Sequence, residues 1–241
     1  MMIFFRKKVE SLQKLTNSTC SVITVAQGST IQKLSQNPIG GYDVILHFLL
    51  IRRKYKNCCA SYVDGLIYEI LAQQLSPRIN STLTKVFGSG VVLLKSQKNM
   101  DYQLLQSLLI NKRFQEANML THRILCELSS LYCGRRSWLY FTDVLSLPIT
   151  DLHTIDSLWR VHSLNKFGFS IQRKIWLSSN KNWSKMWKAI GWKTNHVFCR
   201  YPNDFYWNMD APTGHLPLFN QLYGVQPLLA LLKHKAWETY E

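Results

Sequence analysis

The chain has 241 residues, 46% of them apolar and 12% aromatic, and Lys plus Arg outnumber Asp plus Glu by 29 to 14. This composition excludes a disordered chain and supports one large domain or two modest ones, each with its own core. The net charge of +15 attracts anions of every kind, from nucleic acid to lipid head groups to carboxylate-bearing ligands, and selects none of them.

Met1 to Phe5, followed by Arg6-Lys7-Lys8, has its charge on the wrong side of a short apolar stretch. It does not read as a secretory signal and is too short for a transit peptide, so the protein is expected to work where it is made. Gly40-Gly41 precedes a predicted helix from Tyr42 to Tyr55, whose apolar run Val44 to Ile51 is broken by His47. That run falls far short of the roughly 18 residues a membrane span requires. Val63, Leu66, Ile67, Ile70, Leu71 and Leu75 form the stripe of a second amphipathic helix, predicted to stop before Pro77. A small helical bundle is expected up to a boundary near residue 97, marked by Gly88-Ser89-Gly90 and the polar stretch Lys95 to Asp101.

Beyond the boundary, Tyr102 to Ile110 and Phe114 to Leu131 are predicted to form a helical hairpin turned at Asn111-Lys112-Arg113. Thr150 is placed to cap the next helix, with Asp151 favourable in its first turn. That helical pattern ends at Leu164, and Phe167-Gly168-Phe169 leads into another. Trp183, Met186, Trp187 and Ile190 stripe a short helix that Gly191 can end in a left-handed conformation. Trp159, Trp176, Trp183 and Trp187 fall at helical spacing and are assigned to the core. Lys193 to Pro217 lacks periodicity yet holds Phe198, Tyr201, Phe205, Tyr206 and Trp207, which marks an ordered, functional loop. The expected fold is all-α.

Catalytic signatures are missing: no Gly-x-Ser-x-Gly elbow, no P-loop lysine and no His-Glu-x-x-His motif. His122 and Cys126 share a helix face at i, i+4, and His153 lies three residues before Asp156, but two ligands on one helix suit packing or capping better than a metal. His215 is read as a loop histidine bonded to backbone, with axial ligation inside a macrocycle as the alternative. The six cysteines, at 20, 58, 59, 126, 133 and 199, form no Cys-x-x-Cys pair and suit a reduced setting.

Several motifs, taken in order, carry a resemblance: Trp138-Leu139-Tyr140-Phe141, DLHTIDSLW at 151–159, FGFSIQRKIW at 167–176, Arg200 to Trp207, Ala211 to Leu218, and Asn220-Gln221-Leu222. Together they closely resemble the genomes-uncoupled-four family of tetrapyrrole-binding proteins, which stimulate magnesium chelatase in cyanobacteria and plastids. The resemblance covers roughly 98–237. It implies a 98–241 tetrapyrrole-binding core after a 1–97 accessory helical domain like that of cyanobacterial members. The implied function is a non-enzymatic regulator of chlorophyll biosynthesis with no permanently bound cofactor, whose ligand is protoporphyrin IX or Mg-protoporphyrin IX. Implied partners are that tetrapyrrole, the large porphyrin-binding subunit of magnesium chelatase and a membrane surface, with no nucleic acid expected. The implied location is the plastid stroma, as a plastid-encoded protein, or a cyanobacterial cytoplasm.

The cleft implied by the family lies between the segment 131–141 and the loop 193–217. Phe141, Phe198, Tyr201 and Phe205 would line it, with Arg200 and Asn220 at its edge, and Trp207, Leu216, Tyr223 and His122 completing the set. Relatives commonly carry arginine where this chain has His122, Tyr223 and Gln226, and tryptophan in place of Tyr201. Arg113, Arg123, Arg135, Arg136 and Arg200 are the candidate replacements for the lost charge. The residues alone leave two other readings: a basic helical nucleic-acid-binding protein, and an enzyme acting on a tetrapyrrole through His153, His215 and Asp210.

Overall fold

A computed structural model describes residues 21–36, 40–55, 59–74, 76–129, 138–194, 197–219 and 225–238. Among these the regular structure is helical apart from one two-stranded ribbon, so the chain is all-α. It divides into two compact units, Met1–Val91 and Val92–Glu241.

The first unit packs α1 (Ser21–Ser35), α2 (Gly41–Leu50), α3 (Tyr62–Ala72) and α4 (Pro77–Phe87). Ile31, Ile45, Phe48, Leu49, Val63, Ile67 and Leu71 are sealed in its core. The helix expected to run on to Tyr55 closes as α2 at Leu50 and continues as a π turn, Ile51–Tyr55. Within that turn Arg52 donates to both carboxylate oxygens of Asp64, at 2.8 and 3.1 Å, while Asp64 also accepts the Ser61 backbone N–H at the start of α3. The helix stops before Pro77 as expected, and Pro77 has a second part in the fold. Helix α3 ends at Ala72, and Pro77 opens α4, where its missing N–H is an unused donor and its fixed φ is already helical. Leu75 lies outside the described residues.

In the second unit α5 (Gln103–Ile110) and α6 (Phe114–Leu128) form the expected hairpin. They are followed by α7 (Phe141–Leu145), α8 (Ile149–Val161), α9 (Phe169–Ser178), α10 (Trp183–Ala189) and α11 (Val225–Leu232). Strands β1 (Lys193–Thr194) and β2 (Val197–Phe198) pair antiparallel, with Lys193 opposite Phe198. Trp159 sits at the centre with no exposure; its ring stacks 6.0 Å from Phe114 and its Nε1 donates to the Thr121 hydroxyl at 3.0 Å. Burying an indole is cheap only with that N–H satisfied.

Thr150 does not cap α8. Ile149 is already helical and Pro148 precedes it without a side-chain cap bond. Asp151 has the larger role: its buried carboxylate accepts from the Ser96 hydroxyl, the Gln97 backbone N–H at 2.8 Å and the Tyr102 hydroxyl at 2.7 Å. The segment leading into α5 is thereby stapled to α8. Burial, together with this carboxylate, raises the Tyr102 phenol far above its ordinary pKa.

Candidate functional site

The Phe167-Gly168-Phe169 motif builds the frame of the site. Gly168 has φ +134°, and a Cβ there would meet Asp156 Oδ1 and Arg160 Cγ at 2.9 Å each. The bare backbone lets Asp156 reach the first turn of α9, where it accepts the Ser170 N–H at 2.8 Å and the Ser170 hydroxyl at 2.7 Å. The same turn grips the far end of the aromatic loop: the Gly168 N–H donates to Leu216 O at 3.0 Å, and the Gly214 N–H donates to Lys166 O at 2.8 Å. Gln172, fully buried on α9, donates from Nε2 to Gly214 O at 3.0 Å and to Pro217 O at 2.8 Å. Asn118 on α6 accepts the Leu218 N–H at 2.7 Å.

The near end is fixed by the close of α10. Gly191 takes φ +71°, as expected, and a Cβ there would meet Pro212 Cγ at 2.8 Å, so the loop passes tightly against it. Trp192 is buried and donates from Nε1 to His215 O at 2.8 Å. His215 is buried too, with Nδ1 2.7 Å from Ile190 O and Nε2 3.1 Å from the Tyr206 backbone N. Both ring nitrogens are thus committed to backbone, which leaves no lone pair for a metal and corrects the axial-ligand alternative. Burial pushes its pKa down, against a smaller upward pull from the bond to Ile190 O.

Between these pins lies a hollow of about 430 Å³, lined by Thr194, Val197, Phe198, Asn203, Asp204, Phe205 and Tyr206 among others. Its rings belong to two connected sets. Phe198 meets Trp187 edge to face at 4.9 Å, Trp187 stacks on Trp183 at 5.9 Å, and Trp183 reaches Trp176 at 5.7 Å. Trp159 and Trp176 are core as assigned; Trp183 and Trp187 are half-buried and carry that core out to the loop. In the second set Tyr201 meets Trp207 at 6.0 Å, Phe205 lies 6.2 Å from Trp207, and Phe205 lies 5.4 Å from the His215 ring. Trp207 donates from Nε1 to Pro202 O at 3.0 Å.

The predicted site residues fall in distinct places. Phe198 (52% exposed) and Tyr201 (46%) present rings to solvent, and Arg200 is exposed with its backbone N–H on Asp204 Oδ2 at 2.8 Å. Phe205 (5%) and Leu216 (fully buried) support the loop from within, and Trp207 is half-buried between. Phe141 stands exposed in the first turn of α7, and half-buried His122 has its Nδ1 3.9 Å from Cys126 Sγ; among the described residues neither joins the ring clusters. Asn220, Tyr223, Arg135, Arg136 and most of the segment 131–141 lie outside the described residues. Two candidate replacement arginines are engaged, Arg113 with Glu116 and Arg123 with Glu127. The enzyme candidates are dispersed: His153 bonds Ala236 O at 2.6 Å, His215 is sealed in the loop, and Asp210 is exposed. No group of three His, Cys, Asp or Glu that could hold a metal occurs among the described residues.

The expected site set left out Asp204, Asn203 and Lys193, and also Tyr206, although Tyr206 was counted among the loop aromatics. Tyr206 is 58% exposed beside buried Phe205, and the Lys193 ammonium sits 5.2 Å over the Phe198 ring. The Tyr-Pro-Asn-Asp-Phe-Tyr-Trp run was the available signal, but its split into inward and outward rings is decided by His215, nine residues from Tyr206.

The GUN4-like family model matches residues 95–235. The chain is 48% identical over 196 residues to the ycf53 protein of Porphyra purpurea, covering 81% of each. It is 34% identical over 147 residues to the chloroplastic tetrapyrrole-binding protein of Arabidopsis thaliana, over 57% of this chain and 56% of that protein. The solved structure of GUN4 from Chlamydomonas reinhardtii matches with a TM-score of 0.55 at 40% identity, over 61% of this chain and 94% of that one. With the motifs, the helical core and these relatives in agreement, the chain belongs to the GUN4-like family.

Proposed function

We propose that this chain is a non-enzymatic regulator that binds a tetrapyrrole, protoporphyrin IX or its magnesium form, against the aromatic loop 193–217. On this reading it stimulates magnesium chelatase through the large subunit of that enzyme, in a plastid. The observation that carries the binding reading is the contrast within the loop. Phe198 and Tyr206 stand about half exposed at one hollow, with Tyr201 exposed nearby on Trp207, while the backbone beneath them is fixed by buried bonds from Gln172, Trp192 and His215. Rings gathered at one mouth on a rigid frame are a prepared apolar surface, unlike scattered exposed side chains.

A porphyrin is a flat apolar disc with two carboxylates at one edge. Burying about 350 Å² of it yields on the order of 9 kcal/mol at ~25 cal/mol/Å², from which association removes roughly 4 kcal/mol or more. Rim cations then decide whether the surplus is useful, and Lys193 and Arg200 flank the exposed rings. The name of the Arabidopsis relative, a tetrapyrrole-binding protein, supports the same ligand class.

The test is a titration of the full-length chain with deuteroporphyrin, followed by tryptophan fluorescence; all eight tryptophans lie between 138 and 237. Saturable quenching is expected, and its absence overturns the reading. Repeating the titration across salt concentrations separates it from nucleic-acid binding, whose logarithm falls steeply and linearly with log salt. A chelatase assay at limiting magnesium tests the regulatory half, which fails if the protein gives no stimulation.

A further inference from the structure

We propose that His215, in its neutral form protonated on Nδ1, is the positioning residue of the aromatic loop: it sets where Tyr206 and Phe205 stand at the hollow without touching the ligand. The inference rests on the tetrapyrrole reading for its binding readout and on geometry for the rest. Its partners dictate its tautomer. Ile190 O can only accept, so Nδ1 carries the hydrogen; the Tyr206 N–H can only donate, so Nε2 must be bare. Ile190 caps the end of α10, where a helix leaves carbonyls unpaired, and His215 satisfies one of them. One imidazole therefore ties the end of a helix to the backbone of the ring-bearing turn. Two rings lie tilted against it, Phe205 at 5.4 Å and Tyr206 at 6.0 Å, while the Trp192 indole holds its carbonyl.

A second proton on the ring would set an N–H against the Tyr206 N–H and break that tie. At the end of α10 the ring meets the Ile190 carbonyl and lies close to Gly191; from the loop it meets Phe205 and Tyr206, whose phenol is ionisable. In sequence the nearest carboxylate to His215 is the exposed Asp210, and Asp204 lies two residues before Tyr206. Among the described residues no carboxylate, ammonium or guanidinium bonds to the ring, so nothing offsets the charge of the imidazolium. Burial acts in the same direction, lowering its pKa.

The experiment uses the full chain and two variants. In His215→Gln the amide can donate to Ile190 O and accept from the Tyr206 N–H, yet does not titrate; in His215→Leu both bonds are lost. Wild-type affinity for deuteroporphyrin is expected to fall about tenfold in acid, the equivalent of one lost hydrogen bond. H215Q is expected to hold its affinity with a flat profile, and H215L to bind weakly at every pH. In parallel, amide exchange of Tyr206, followed by NMR without ligand, is expected to be slow in wild type and H215Q at neutral pH and fast in H215L. An H215Q profile that keeps the wild-type acid loss overturns the proposal, as does a Tyr206 amide equally slow in H215L. Should H215L fail to fold, the H215Q profile and exchange decide. Should wild type bind no porphyrin at any pH, the functional reading falls, and Tyr206 exchange alone judges His215.

Discussion

The side-chain nitrogen of Gln172 donates to the carbonyl oxygen of Gly214 at 3.0 Å across 42 residues of chain, and the same nitrogen reaches Pro217 O at 2.8 Å. One buried amide on α9 thus closes the far end of the aromatic loop. Replacing Gln172 with leucine keeps the volume near constant but leaves two carbonyls without this donor. The expected cost is about 1–3 kcal/mol. It should appear as a lower urea midpoint at unchanged m-value, with porphyrin affinity falling alongside because the loop loses its clamp.

Gly214 itself tolerates nothing larger. Its φ is +79°, and a Cβ would lie 2.6 Å from Ile175 Cδ1 and 3.0 Å from Ile190 Cγ2. Gly214→Ala combines a left-handed backbone with overpacking, and should destabilise by roughly 1–3 kcal/mol. The close Ile175 methyl is absent from valine, so Ile175→Val should return part of the loss in the double variant. The backbone part should remain. A double-mutant cycle by thermal unfolding reads the coupling.

Two buried histidines make the stability of this protein acid-sensitive. Burial lowers the pKa of His215, and likewise that of His234, whose Nδ1 accepts the Ala236 N–H at 3.1 Å. Each folded-state value lies below the ordinary one near 6.5 that applies in the unfolded chain. The contribution is therefore fully present above about pH 6.5, and is lost as pH falls from there through the folded values. Unfolding free energy measured from pH 8 to 5 should decline below about 6.5, and His215→Gln should flatten part of that decline.

The helical frame was legible because periodicity is local: the 103–128 hairpin, α9, α10 and the left-handed Gly191 follow from spacing and composition alone. Two helix-boundary signals carried more, or less, than sequence could tell. Pro77 ends one helix or begins another with equal ease, and Thr150 makes no cap because Pro148 and Ile149 already start the turn. The site was legible as a loop rich in rings, but not ring by ring. Phe205 and Tyr206 are adjacent and chemically alike, yet one is buried and the other exposed. That division comes from His215, Trp207 and the Gln172 clamp, none of which periodicity can register. Lys193 was missed for the same reason, since its place over Phe198 exists only once β1 and β2 pair.

Porphyrin affinity should respond in opposite directions to two loop substitutions. Phe198→Ala removes an exposed ring that is buttressed by Trp187, and a several-fold to tenfold loss is expected from the apolar area withdrawn from the ligand. Tyr201→Trp introduces the larger ring that the family resemblance leads one to expect there. Tyr201 is 46% exposed and meets Trp207 edge to face, so an indole there extends the exposed aromatic surface of the loop without disturbing the buried pins. Aromatic contacts contribute about 0.5–1.5 kcal/mol beyond area, which corresponds to tightening of a few-fold to about tenfold. Met119→Ala, on the exposed side of α6, is the control. It removes apolar surface from the same unit away from the loop and should leave affinity unchanged. If all three variants shift binding alike, the ligand responds to general stickiness and the 193–217 rings are not its wall; opposite shifts at 198 and 201 with an inert control assign the contact to those rings.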